Sequence, residues 1–391
     1  MITDYYIYLD PVDTSTFDEV FSNSGKLGGI VELYSKTDAF PDVKGANVAI
    51  LGVPEGHGSD KNQGCGSAPD VIRSQLYNLY NFTEDLKIVD VGNIKQCNSL
   101  KDTYFAVKEV VSYFIANKVF VIILGGSNDI AYANYWAYQK LNQLVNFTCF
   151  DSCLDIGDAS CCPAQAYISK IIMHKPNYLF NYVNIGYQTY LNNSNIVKLI
   201  DNLLFDAYRL GLVRNNIEEV EPSIRNSDVA SFDISVVKSS DAPARVDASP
   251  NGLSSDEFCN LARYVGTSDK ISSAGFYEYN PSLDRDFQTA KLIAQAIWCL
   301  IDGHNDRLNE YPYHNKNNFI KYHVKSEMFE KEIVFYKSKL TNRWWLEVEC
   351  PEHLKDKYAS CYLVPCSYKD YLSACDNEIP GRWLQVYKKL M

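Results

Sequence analysis

Up to about residue 305 the chain alternates between short apolar runs and longer stretches of helical period. The apolar runs cover 48–53, 88–91, 119–124, 147–150, 182–185, 208–213, 229–236 and 273–277. Helical patterns fill 68–77, 103–117, 131–144, 194–204, 254–265 and 289–301. A strand that is apolar on both faces has to be covered on both faces. Alternation with helices therefore predicts a parallel sheet of about eight strands inside a three-layer αβα fold. Local signals agree: Ser254 stands three residues before Glu257, the pattern of a capping box. Ile293, Ala296, Ile297 and Leu300 fall on one helical face. From about residue 309 the texture changes to Lys, Tyr and Trp, with β-like runs at 332–336 and 344–348 and a helical pattern near 383–390. This predicts an N-terminal extension over 1–45, the α/β domain over 46–309 and a small, mostly β extension over 310–391.

Composition narrows the class. The chain has 391 residues, 46% of them hydrophobic and 22% charged, which are globular values. A net charge of −11 supplies no cationic footprint for nucleic acid or an anionic membrane surface. The start, Met1-Ile2-Thr3-Asp4-Tyr5-Tyr6, lacks a basic segment followed by an apolar one, and no apolar run approaches the ~20 residues of a membrane span. The expectation is a cytoplasmic protein that does not span a membrane, with its 12 cysteines reduced. Cys149, Cys153, Cys161 and Cys162 cluster, but not in the paired spacing of a zinc site.

Candidate chemistry gathers where apolar runs end. Phe150-Asp151-Ser152-Cys153-Leu154-Asp155 places two carboxylates four residues apart at a strand end, where doubly wound sheets do chemistry. Gly125-Gly126-Ser127-Asn128-Asp129 and Ser231-Phe232-Asp233-Ile234-Ser235 end two other runs. Gly52-Val53-Pro54-Glu55-Gly56-His57-Gly58 and Gly64-Cys65-Gly66-Ser67-Ala68-Pro69-Asp70-Val71-Ile72-Arg73 form a Gly-rich strand-to-helix connection without phosphate-loop spacing. Pro250-Asn251-Gly252-Leu253-Ser254 and Glu278-Tyr279-Asn280-Pro281-Ser282-Leu283-Asp284 complete the series.

In this order and spacing the segments resemble the ureohydrolase family of arginase, agmatinase and formimidoylglutamase, nearest its formimidoylglutamase-like branch, over roughly residues 45–302. The resemblance implies an arginase-like αβα scaffold and, in the family, two manganese ions held by two histidines and four aspartates around a shared hydroxide. Here Asn128 and Cys153 stand at the histidine positions and Ser235 at an aspartate position, leaving Asp151, Asp155 and Asp233. Manganese favours carboxylate and imidazole over a lone thiol, so the resemblance implies a pseudoenzyme without binuclear hydrolysis. Such a protein would serve a protein partner or an unreacted ligand. The other reading is a working C–N hydrolase of an amidine or guanidine with an altered metal set.

Asp151, Asp155, Asp233 and Asn128 form an oxygen-rich set suited to one Mg, Ca or Mn ion, the alternative to no cofactor. Without an ion, the carboxylates need a neighbour such as Arg73 or a lysine, or water. His57 and Glu278 are ligand-pocket candidates, Glu278 by its place in the family motif. His174 reads as solvated, and Cys65 with Cys153 as a conceivable thiol pair. Trp344, Trp345 and Trp383 suit either a partner surface or the tail's own core. Family members are often oligomers, which makes a homo-oligomer an expectation here too.

Overall fold

The computed structural model describes residues 5–16, 23, 25–82, 86–312, 316–325, 332–354, 358 and 361–391; Met1–Asp4 of the segment read for a leader lie outside these. Ten strands make the main sheet: β1 (Leu9–Asp10), β2 (Glu32–Leu33), β3 (Val48–Gly52), β4 (Ile88–Ile94), β5 (Phe120–Leu124), β6 (Val145–Phe150), β7 (Leu179–Tyr187), β8 (Asp206–Arg209), β9 (Val229–Asp233) and β10 (Ser273–Tyr277). Their order is β1-β4-β3-β5-β10-β9-β6-β7-β8, with β2 also on β4. The eight strands β3 to β10 are mutually parallel, as the apolar runs predict. The two short extra strands come from the N-terminal extension, and β1 runs antiparallel.

Every residue of β3, β5, β6, β9 and β10 is buried because helices cover both faces. Alternate side chains divide between two cores. Ile50, Ile122, Phe232 and Phe276 face one core with helices Ala68–Leu76, Ser255–Thr267 and Gln288–Asn305. Leu51, Val121, Ile123 and Phe147 face the other with helices Leu100–Ala116, Ile130–Ala137 and Pro163–Ile172. Phe150, Phe232 and Phe276 stack across β6, β9 and β10 with ring centroids 4.2 and 4.7 Å apart. A one-residue slip would break this ladder, so it pins the register of the three strands that end at the site.

Three predicted elements end differently. The run at 208–213 splits into β8 and a helix, Leu210–Asn215: Leu210 and Val213 are buried at helical spacing while Leu212 is exposed. The run at 229–236 stops at Asp233, whose carboxylate accepts the Ser235 N–H at 2.7 Å and starts a single 3-10 turn. The helix expected over 131–144 likewise ends at Ala137 and tightens into a 3-10 turn.

A separate antiparallel sheet closes the chain, built from β11 (Phe319–Lys325), β12 (Glu332–Ser338), β13 (Trp344–Glu347) and β14 (Leu363–Cys366). Helices Tyr368–Cys375 and Gly381–Leu390 follow, the first with a Ser367–Asp370 capping box. Trp344, Trp345 and Trp383 are buried, so they serve the tail's own packing. The tail docks near the amino ends of the main strands. The buried Arg225 donates to the Trp344 and Cys366 carbonyls and lies 4.3 Å over the Trp345 ring. Lys389 reaches Asn181 at 2.6 Å and Gln385 reaches Asp206 at 3.0 Å. The carboxyl ends of the strands are left to the site.

His304, in the last turn of helix Gln288–Asn305, packs against Phe120 with ring centroids 5.1 Å apart and the planes tilted by 45°. Burial, then Arg307, pulls its pKa down to about 3. The unfolded chain, titrating near 6.5, takes up this proton first. The stabilisation from a neutral His304 is therefore complete above about pH 6.5 and drains as pH falls toward about 3. His304→Gln should flatten the loss of urea-midpoint stability on acidification, by about 2 kcal/mol at about pH 5. An unchanged slope in the variant refutes this assignment.

Candidate functional site

Because the strands are parallel, β3, β5, β10, β9 and β6 deliver their carboxyl ends side by side. The loop after β5 turns through Gly125 and Gly126 at φ of +76° and +86°, a conformation that side chains resist. That turn drops Asn128 toward the ends of β6 and β9. Gly64 stays bare for a different reason. A Cβ there would lie 2.3 Å from Asn280 Oδ1, and Asn280 holds Asn62 at 3.0 Å, which in turn donates to Glu278 at 2.9 Å.

Asn128 is the centre of the cluster. Its amide Nδ2 lies 3.1 Å from Asp151, 3.1 Å from Asp155 and 3.0 Å from Asp233. Its Oδ1 is buried and has no hydrogen-bond partner, since turning it inward would aim an acceptor at three carboxylates. The Ser235 hydroxyl donates to Asp151 at 3.0 Å and itself accepts from Ser152 at 3.0 Å. The Cys153 N–H donates to Asp151 at 2.8 Å. Glu278, at φ +64°, accepts from the Asn128 backbone at 3.0 Å and from Ser59 at 3.2 Å. A non-glycine residue at positive φ is strained backbone, and here it aims a carboxylate at the cluster.

Charge is the problem this site has to solve. Burial, then Asp155 and Asp233, push Asp151 well above the usual carboxylate range. Asp155 rises to about 7 through burial chiefly, with Asp233 adding to it. Glu278 rises to about 7 from burial, then Asp233. Asp151 and Asp155 hydrogen-bond to each other, and a proton held on Asp151 fits both directions. Arg245, in the loop after β9, brings its Nε 3.6 Å from Asp233 Oδ1 and offsets part of the charge on Asp155 and Glu278.

These groups line a cavity of about 290 Å³, with Ser59, Lys61, Asn62, Cys162, Gln165 and Asp247 among its walls. The candidate positions Asn128, Asp151, Cys153, Asp155, Asp233, Ser235 and Glu278 all line it. His57 does not: its ring is exposed and Nδ1 contacts Glu55 at 2.7 Å. Arg73 is also elsewhere, fully buried against Asp90 at 2.7 Å, so it cannot neutralise the cluster. His174 is half-buried and bonded to the Tyr132 hydroxyl at 2.9 Å. Cys65 and Cys153 are free thiols that burial first, and nearby carboxylates second, push upward, so neither favours the thiolate. Sequence reasoning missed Arg245, Asn62 and Ser59. For Arg245 a signal existed, since it is the sole basic residue in the stretch 239–253.

The donor set has a clear metal chemistry. Asp151, Asp155 and Asp233 each offer an oxygen within 4.8 Å of the others, the one such cluster among the described residues. Three oxygens and an amide suit one hard cation. A second ion would have to rely on Cys153, a soft sulfur donor that manganese disfavours, and on Ser235, a neutral hydroxyl that donates to Asp151. Two ions sharing a hydroxide do not fit these residues.

Comparison with known proteins agrees with the fold and the motif series. Formimidoylglutamase of Staphylococcus aureus strain bovine RF122 / ET3-1 is 29% identical over 266 residues, covering 64% of this chain and 85% of that protein. The crystal structure of formimidoylglutamase from Bacillus subtilis subsp. subtilis str. 168 superposes with a TM-score of 0.64 at 18% identity, covering 72% of this chain and 92% of the other. Trypanosoma cruzi formiminoglutamase, solved with Mn2+2, gives 0.63 at 19% identity, covering 68% and 96%. At such identities the structures speak for the fold. The Arginase family profile matches residues 46–302, most of the chain and all five strand ends that build the cavity, and the chain therefore belongs to the Arginase family.

Proposed function

We propose that this chain is a ureohydrolase-like pseudoenzyme whose former catalytic edge is a binding pocket without binuclear manganese hydrolysis. One observation carries the reading. The Asn128 amide donates to all three remaining carboxylates at 3.0–3.1 Å, and Ser235 donates to Asp151 at 3.0 Å. Residues at positions where the family holds metal instead satisfy one another as donor and acceptor. A nucleophilic hydroxide at neutral pH requires a cation to lower the pKa of its water, and general acid–base groups alone do not replace that for an unactivated amidine. The cavity of about 290 Å³ is of a size for a small polar ligand.

The competing reading is an active C–N hydrolase on one ion. Its support is the three-carboxylate cluster within 4.8 Å, together with the formimidoylglutamase name of the relatives. Metal content of the purified full-length protein, measured beside ammonia, urea and formamide release from amidine and guanidine substrates, separates the two. The proposal expects no stoichiometric manganese and no release above the protein-free control. Two equivalents of manganese accompanied by turnover would refute it.

A further inference from the structure

The cavity carries more negative than positive groups. Asp151, Asp155, Asp233 and Glu278 form its inner wall, and Asp60 and Asp247 add to it. Two cations line it, Lys61 and Arg245. Lys61 is 80% exposed and reaches only Asp247, at 3.9 Å, so it belongs to the rim. Arg245 is the inner cation: its side chain is 26% exposed, its Nε lies 3.6 Å from Asp233 Oδ1, and that Nε is buried without a hydrogen-bond partner. The contact is therefore a through-space charge pairing, not a fork clamped on one carboxylate. A guanidinium held this way can balance several carboxylates at once and is dislodged without breaking a bidentate bond.

We propose that Arg245 is the resident cation of this site, standing in for a divalent ion, and that Asp151, Asp155, Asp233 and Asn128 form a latent single-cation site which opens when the Arg245 charge is removed. The inference rests on the metal-free reading above and deepens it by naming what keeps the metal out. Two features of the geometry carry it. The three carboxylate oxygens already lie within 4.8 Å of one another, close enough to share one ion. Asn128 Oδ1 is buried and unpartnered, so rotating that amide turns a donor to the carboxylates into a fourth oxygen ligand. Four protein oxygens completed by water suit a hard cation. In the wild type, an incoming ion would sit within a few ångströms of a guanidinium. Repulsion at that range, in a site shielded from solvent, weakens binding by at least about tenfold.

The test uses the full-length protein with Mn2+, Mg2+ and Ca2+ added singly, read by isothermal titration calorimetry and by the cation-dependent shift in melting temperature. Arg245→Met keeps most of the side-chain bulk and discards the charge, Arg245→Gln does the same with a polar end, and Arg245→Lys keeps the charge. Arg245→Met or Arg245→Gln, whichever is folded, should bind one equivalent of cation at least roughly tenfold more tightly than wild type and melt higher with it. Arg245→Lys should behave as wild type, and adding Asp155→Asn to the Met or Gln variant should abolish the gain. Neutral variants that bind no more tightly than a metal-free wild type would overturn this inference and leave the non-hydrolytic reading standing. A wild type that already binds one ion as tightly as the neutral variants, without turnover, would do the same. Two manganese equivalents with turnover in the wild type would overturn the non-hydrolytic reading itself.

Discussion

Asn128→Asp is expected to lower the stability of the metal-free protein by about 3–5 kcal/mol and to make that stability respond to divalent cations. The substitution barely changes shape, yet it replaces an amide that donates to Asp151, Asp155 and Asp233 with a fourth carboxylate. A buried acceptor facing three acceptors loses its hydrogen bonds and adds repulsion. Millimolar Mn2+ or Ca2+ should restore much of the loss, because the variant then has an all-oxygen ligand set for a hard cation. Asn128→Leu is the control: it removes the donor without adding charge, so it should be destabilised and indifferent to cations. Chemical denaturation of both variants with and without cation reads the result. Equal stability of Asn128→Asp and wild type without metal would mean that the amide is not what holds the carboxylates together.

Arg73→Met is expected to cost about 3–5 kcal/mol in chemical denaturation, although Arg73 touches no group of the cavity wall. Its side chain is fully buried and fully used: Nε and Nη2 meet Asp90 at 2.7 and 3.0 Å, Nη2 meets the Gly92 carbonyl at 3.0 Å, and Nη1 meets Asp70 and Asn93 at 2.8 and 2.6 Å. Tyr77 also donates to Asp90. Removing the guanidinium leaves the Asp90 carboxylate, itself inaccessible to solvent, with the Tyr77 hydroxyl and the Gly92 N–H as donors but without its countercharge, and the desolvation penalty is then only partly offset. The double variant Arg73→Met, Asp90→Leu should recover part of the loss, since an apolar pair leaves no orphaned charge. A loss under about 1 kcal/mol in the single variant would show that water reaches Asp90 after all.

Much of the architecture was legible in the chain. The run 119–124 is apolar at every position, and its shortness between helical segments is what a parallel strand covered on both faces requires. The 208–213 run misled because periodicity over six residues does not separate a strand from a helical turn. Burial of Leu210 and Val213, with Leu212 outside, decided it. In the tail, β11 was not read although Tyr322 and Val324 alternate with Lys321, His323 and Lys325; its residues are largely exposed or half-buried, so the apolar signal is thin. The capping box Ser367–Asp370 was a readable sign for the helix that follows it.

By itself, the sequence determined the parallel αβα scaffold and which side chains would emerge at the strand ends, because the alternation of strands with helices and the two-residue period of side chains are both written along the chain. The family resemblance further implied histidine positions where Asn128 and Cys153 stand. Only the tertiary structure decided how the remaining charges are settled. Asn128 meets Asp233 across 105 residues, Ser235 meets Asp151 across 84, and Arg245 enters from a loop whose path no periodicity encodes. In the chain Arg73 was a candidate countercharge and His57 a ligand-pocket candidate, yet one is locked to Asp90 and the other turns to solvent beside Glu55. Which cation serves a carboxylate depends on distance and burial, and both are set by packing between segments far apart in the chain.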